Sequence, residues 1–288
     1  MKKYYGKILI FGEYTVITGS HALAVPLTKY YGQWQFTKDD EDMAQKQQQL
    51  VPFADYLLHT FPVTVIDSVS FKRDLQNGLY FHSTIPPGYG AGSSGAVCAA
   101  IYDRYGKEKT RDLGQLQAIF IKMENYFHGS SSGTDPLVSY LNQPVLIENI
   151  DGTKNISILH FPKKKLSVRF FLIDTGEERQ TASLVEYFLE RYKNSSFFAR
   201  TVSRLTKLNN LAIRYLLNFE DEKLWQTITD IHEIQFAHFR KMIPGSIDKL
   251  IMTSKTGETL VKLCGAGGGG FFLGIARDDT EQGNRIWL

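Results

Sequence analysis

The stretch Pro86–Gly95, PPGYGAGSSG, decides how this chain is read. Its glycines leave a run of backbone N–H groups unhindered, so the chain can approach an anion closely. The following segment, Ser93–Tyr105, carries small residues early and Ile101 and Tyr102 later, which predicts a helix. A glycine-rich loop that opens a helix suits phosphate, because the free N–H groups and the positive helix end converge there. Ser93 and Ser94 stand at that helix start, either as caps or with one as ligand to a phosphate-bound metal. A plain glycine-rich turn is the bland alternative.

The loop matches the dinucleotide pattern G-x-G-x-x-G at Gly90–Gly95, and a second copy occurs at Gly265–Gly270. That pattern carries weight only between a strand and a helix, with an acidic residue about 20 positions on at a strand end. The second copy runs into Phe271–Ile275, which reads as a strand, and so fails. After the first copy Asp112 falls between two helices, which also fails. Neither copy is followed by the Gly-Lys-Ser/Thr of a Walker A loop.

Working outward, 288 residues are enough for one large domain or two ordinary ones. A net charge of +3 argues against a nucleic-acid binder, which would show a basic stripe. Cys98 and Cys264 fit neither a metal spacing nor a disulfide framework, so a cytoplasmic protein is expected. No signal-peptide pattern and no apolar run near 18 residues is present, so no membrane contact is expected. Strands are expected at Lys7–Phe11, Ala22–Leu27, Val69–Arg73, Leu79–Ser83, Val145–Glu148, Ile156–Phe161 and Val168–Asp174. Asp39–Gln49 reads as a polar loop, with helices near Phe53–Thr60, Arg111–Phe127 and Ile247–Ser254, and several between Thr181 and Met242. A last strand pair is expected around Gly265. The basic run after Pro162 marks the expected boundary between domains 1–162 and 163–288.

Three segments then stand in a telling order: GKILIFGEY at 6–14 continuing through ALAVP at 22–26, PPGYGAGSSGAV at 86–97, and KLCGAGGGG at 262–270. Together they resemble the GHMP small-molecule kinases, most closely the mevalonate kinases. The resemblance implies an α+β fold of two lobes with the active site between them. The N-terminal lobe would be ribosomal protein S5 domain 2-like and the C-terminal lobe ferredoxin-like. It also implies ATP and Mg2+, a small-molecule acceptor, and a possible homodimer.

By the same resemblance, Pro87, Gly88, Gly90, Ala91, Gly92, Ser93, Ser94 and Gly95 would hold ATP. Ser94 and Glu124 would hold the metal, Asp135 would face the acceptor hydroxyl, and Lys7 would pair with Asp135. Glu124 can also be judged alone: Leu113, Leu116, Phe120, Met123 and Phe127 form one apolar stripe. At 100° per residue Glu124 falls about 20° from Leu113, where a carboxylate needs a partner or must reach out to solvent. Asp135, before Pro136 in a Gly/Ser-rich stretch, is equally a turn aspartate. Lys7 alone would pass for a surface lysine.

For the acceptor, the segment around Arg179 and Thr181 resembles an Arg-x-Thr element that meets the substrate's acidic end. A guanidinium fork suits a carboxylate; the alternative is a surface arginine beside an N-cap. Glu13, Tyr14, Gly267 and Gly268 would complete the acceptor side. Tyr14 departs from the histidine usual in mevalonate kinases, and Gly-Ser-Ser-Gly-Ala-Val at 92–97 leans toward phosphomevalonate kinases. The four glycines at 267–270 and the short chain favour mevalonate itself. Other GHMP acceptors, a non-catalytic member and a dinucleotide oxidoreductase stand as alternatives.

Overall fold

In the computed structural model, which describes residues 2–37, 40–161, 166–179, 181–248, 259–277 and 284–286, the chain opens with β1 (Tyr4–Phe11) and β2 (Ala22–Phe36). Burial on both faces of β1 suits its near-continuous apolar sequence. Next come α1 (Asp40–Gln47) and α2 (Leu50–Thr60). The polar stretch expected as a loop is thus largely helical. Gln47, buried at the end of α1, donates to the carbonyls of Leu75 at 2.7 Å and Leu79 at 2.6 Å. The strand expected at Val69–Arg73 is also corrected, for α3 spans Ser68–Gln76. Asp67 caps it by accepting from Ser70 N, and Phe71 and Leu75, four residues apart, face the core while Val69 stays exposed.

The chain continues through β3 (Leu79–Ser83), α4 (Ser93–Tyr105), α5 (Leu113–His128), α6 (Thr134–Leu141), β4 (Val145–Ile150) and β5 (Thr153–Ile158). Then follow β6 (Arg169–Asp174), α7 (Thr181–Asn194), α8 (Ser196–Asn218), α9 (Asp221–His238), β7 (Thr259–Leu263), β8 (Phe271–Ala276) and β9 (Asn284–Ile286). The basic run Lys163–Lys165 and most of the helix expected at Ile247–Ser254 lie outside the described residues.

Two compact units result. The first is Met1–Lys7, Pro26–Pro86 and Ala91–Gln143. Here the far half of β2 pairs antiparallel with β3, from Gly32↔Ser83 to Phe36↔Leu79, and α4 packs on α5 and α6. Phe53, Phe71, Tyr102 and Phe120 are almost fully buried, each contributing roughly 1.5–3 kcal/mol by leaving water. Because β3 runs antiparallel to β2, the glycine-rich loop after it lacks the βαβ setting of a dinucleotide site.

The second unit is Ile8–Val25, Pro87–Gly90 and Pro144–Leu288. The start of β2 pairs with β4 at Ala22↔Ile147, and β4 pairs with β5. A separate antiparallel sheet has the order β7-β8-β6-β9. Ser195 caps α8, accepting from Phe198 N at 3.2 Å. Buried Phe198, Val202, Leu205, Asn209, Ala212 and Leu216 give α8 one stripe at helical spacing, and it packs on α7 and α9. Helices and antiparallel sheets in these proportions make an α+β fold.

Candidate active site

The loop Pro86–Gly95 does open a helix. Gly92 occupies the N-cap of α4 with φ +78°, a left-handed conformation that favours glycine. Gly95 serves close approach: a Cβ there would lie 2.7 Å from Pro136 N and 2.9 Å from Asp135 Cβ. Its bare Cα therefore lets α4 and α6 meet and brings Asp135 beside the loop. The backbone N–H of Lys7 donates to Ala91 O at 2.7 Å, tying β1 to the same loop.

Lys7 is buried at the middle of β1, and its Nζ lies 2.6 Å from Asp135 Oδ1. The aspartate side chain keeps 26% of its surface against 10% for the lysine, so one carboxylate face is open. Asp135 sits in the first turn of α6 rather than in an irregular turn. Pro136 is compatible with that helix, because the missing N–H belongs to the first turn.

Glu124 is 3% exposed on the inner face of α5, where the apolar stripe predicts it. Its Oε1 accepts from Ser94 Oγ at 3.2 Å, and its Oε2 accepts from Ser131 Oγ. Burial, and next the nearby Asp135 charge, push the Glu124 carboxyl up to about 7, while Ser131, Lys7 and Ser94 pull it down. His128 Nε2 lies 2.9 Å from Ser94 Oγ. Ser131 also accepts from Gly133 N at 3.0 Å, linking the segment before α6 to Glu124.

The donors around Glu124 are hard oxygens. Mg2+ characteristically binds one or two carboxylate groups and completes its shell with waters and phosphate oxygens, so Glu124 and Ser94 fit it. A cation there would relieve the burial of one carboxylate near another. Among the described residues no cluster of three or more His, Cys, Asp and Glu suggests a dedicated metal cage.

The other expected residues lie in the second unit. Arg179 Nη2 donates to Tyr89 O at 2.7 Å, and Arg179 N donates to Gly88 O at 3.1 Å. Thr181 opens α7. Glu13 is 3–4% exposed and pairs at 2.5 Å with Lys262, whose ammonium also donates to Ile10 O and Leu263 O at 2.7 Å each. Tyr14 is buried between Phe188 and Phe239, with ring centroids 4.8 and 5.9 Å away, and its hydroxyl donates to Ala266 O at 2.6 Å. Burial pushes that phenol well above its ordinary range. Gly268 N donates to Met242 O at 2.6 Å, and a Cβ on Gly267 would meet the same carbonyl at 2.3 Å. Sequence reasoning singled out neither Ser131, His128 nor Lys262 for a role. Ser131 lies within the Gly/Ser run 129–133, His128 precedes it and Lys262 begins the third motif, but their partners are tertiary.

With the geometry in view, residues 59–143 match the model of the GHMP kinases N terminal domain. Mevalonate kinase from Archaeoglobus fulgidus is 25% identical over 98% of this chain and 94% of its own length. The L. major mevalonate kinase, crystallised with R-mevalonate, superposes with a TM-score of 0.68 at 18% identity, over 97% of this chain and 88% of that one. Streptococcus pneumoniae phosphomevalonate kinase, in complex with phosphomevalonate and AMPPNP, gives 0.64 at 16% identity, over 96% and 92%. No helix among the described residues is long and apolar enough to cross a membrane. Over residues 59–143 the chain matches the N-terminal domain of the GHMP kinases, and over nearly its whole length it is similar to mevalonate kinases.

Proposed function

We propose that this kinase transfers the terminal phosphoryl group of ATP to the primary hydroxyl of mevalonate, giving 5-phosphomevalonate and ADP. The observation that carries the reading is the Lys7–Asp135 pair, 2.6 Å long with the aspartate half-open, on the same framework as the buried Glu124 and Ser94. Asp135 accepts or orients the acceptor hydroxyl proton, and Lys7 fixes the carboxylate's position. Ser94 and Glu124 hold Mg2+, which when bound neutralises phosphate charge during transfer. The N–H groups of Ala91–Gly95 and the start of α4 receive phosphate oxygens. Arg179, with Thr181, is the proposed partner of the acceptor's carboxylate.

The full-length likeness to a protein named mevalonate kinase supports this acceptor. Phosphomevalonate is the second reading, favoured by Tyr14 in place of histidine. That signal is weakened by the burial of Tyr14 and the commitment of its hydroxyl to Ala266 O. Incubating the chain with ATP, Mg2+ and separately mevalonate, phosphomevalonate, homoserine or sugars, with ADP release as readout, tests the proposal. Fastest release with mevalonate is expected. Faster release with phosphomevalonate would transfer the assignment, and none with any alcohol would end the kinase reading.

A further inference from the structure

The segment Asp174–Arg179 is bonded to both glycine-rich stretches of the second unit. Thr175 donates to Gly270 O through its N–H at 3.1 Å and its hydroxyl at 2.8 Å. Gly270 N returns a bond to Glu177 O at 2.6 Å. Two residues on, Arg179 reaches the other stretch, donating from its backbone to Gly88 O and from its guanidinium to Tyr89 O. Tyr89 and Phe271 close the arrangement edge to face at 5.2 Å.

The guanidinium is lodged rather than laid on a surface. A Cβ on Gly90 would fall 1.0 Å from Nη2, and one on Gly265 would fall 2.4 Å from Nη1. Gly90 also holds φ +63°, so two separate constraints exclude a side chain there. Arg179 Nε is buried without a hydrogen-bond partner among the described residues. A surface arginine waiting for a carboxylate would need neither slot nor the bond to Tyr89.

We propose that Arg179 is a positioning residue for the nucleotide loop: from its slot between Gly90 and Gly265 it fixes Pro87–Gly90, the stretch that leads directly into the phosphate-receiving N–H groups of Ala91–Gly95. This rests on the reading of that loop as the nucleotide site and adds to the proposed contact with the acceptor. Its consequence is that Arg179 governs nucleotide affinity even when no acceptor is present. Lysine keeps the charge but lacks the planar fork, so it cannot hold the Tyr89 carbonyl while filling the slot.

The test is binding of AMPPNP with Mg2+, by titration calorimetry without acceptor, to the parent chain, Arg179→Ala and Arg179→Lys. Both variants are expected to bind about tenfold more weakly, the loss typical of one charge-assisted hydrogen bond. Methylguanidinium should recover part of that loss in Arg179→Ala and none in the parent. Should Arg179→Ala fail to fold, Arg179→Lys gives the same comparison. Parent-like nucleotide affinity in a folded variant, with only the acceptor KM raised, would overturn the proposal. A parent that binds no nucleotide would remove the reading of the loop, and this inference with it.

Discussion

Two lysine–carboxylate pairs of almost equal length set the two units apart. Lys7–Asp135 is 2.6 Å long with side-chain exposures of 10% and 26%. Lys262–Glu13 is 2.5 Å long with 0% and 3%. In the first, one carboxylate face remains open, so the charge can act on something that arrives. In the second every ammonium proton has an acceptor, Glu13, Ile10 O and Leu263 O, and both side chains are almost fully buried. The two pairs differ in access to the acidic oxygen rather than in length.

The contrast can be broken most forcefully at the sealed pair. Lys262→Met should cost about 3–5 kcal/mol of stability, since it removes the cation paired with a buried carboxylate. Chemical denaturation would show it, and the folded fraction should keep a near-parental kcat. Adding Glu13→Leu to Lys262→Met should restore part of that loss, because a buried pair replaced by apolar residues is often close to neutral. A double variant less stable than the single one would mean that the other contacts of Glu13 outweigh the cost of its buried charge. A smaller effect is expected at Ser131, beside the buried Glu124. Ser131→Ala removes one hydroxyl from Glu124 Oε2 and should raise the Mg2+ half-saturation concentration roughly fivefold, with little change in melting temperature, as for a hydrogen bond worth about 1 kcal/mol. An unchanged Mg2+ dependence would make Ser131 a partner of the fold alone.

The sequence carried the parts of this picture that depend on local pattern. The span of α4 followed from its small residues and the preceding glycines. The inward placement of Glu124 followed from arithmetic along α5. One local signal was misread: Val69–Arg73 has strand-like residues, yet the Asp67 cap and the Phe71–Leu75 spacing make it helical. The helix α6 was hidden because Gly/Ser-rich sequence around a proline reads as a turn, although proline in a first turn is tolerated. The partner of Lys262 lies 249 residues away, and no local pattern announces it. The carbonyl that holds Arg179 is likewise 90 residues distant.

The open pair is where the account is most exposed. Asp135→Ala, assayed for phosphoryl transfer to mevalonate alongside its affinity for AMPPNP with Mg2+, tests it most directly. The expected result is a loss of about 10²–10⁴-fold in kcat, the usual contribution of a positioned acid or base, with nucleotide affinity within a few-fold of the parent. A folded Asp135→Ala enzyme that turns over at close to the parental rate would contradict the assignment of the open pair to catalysis.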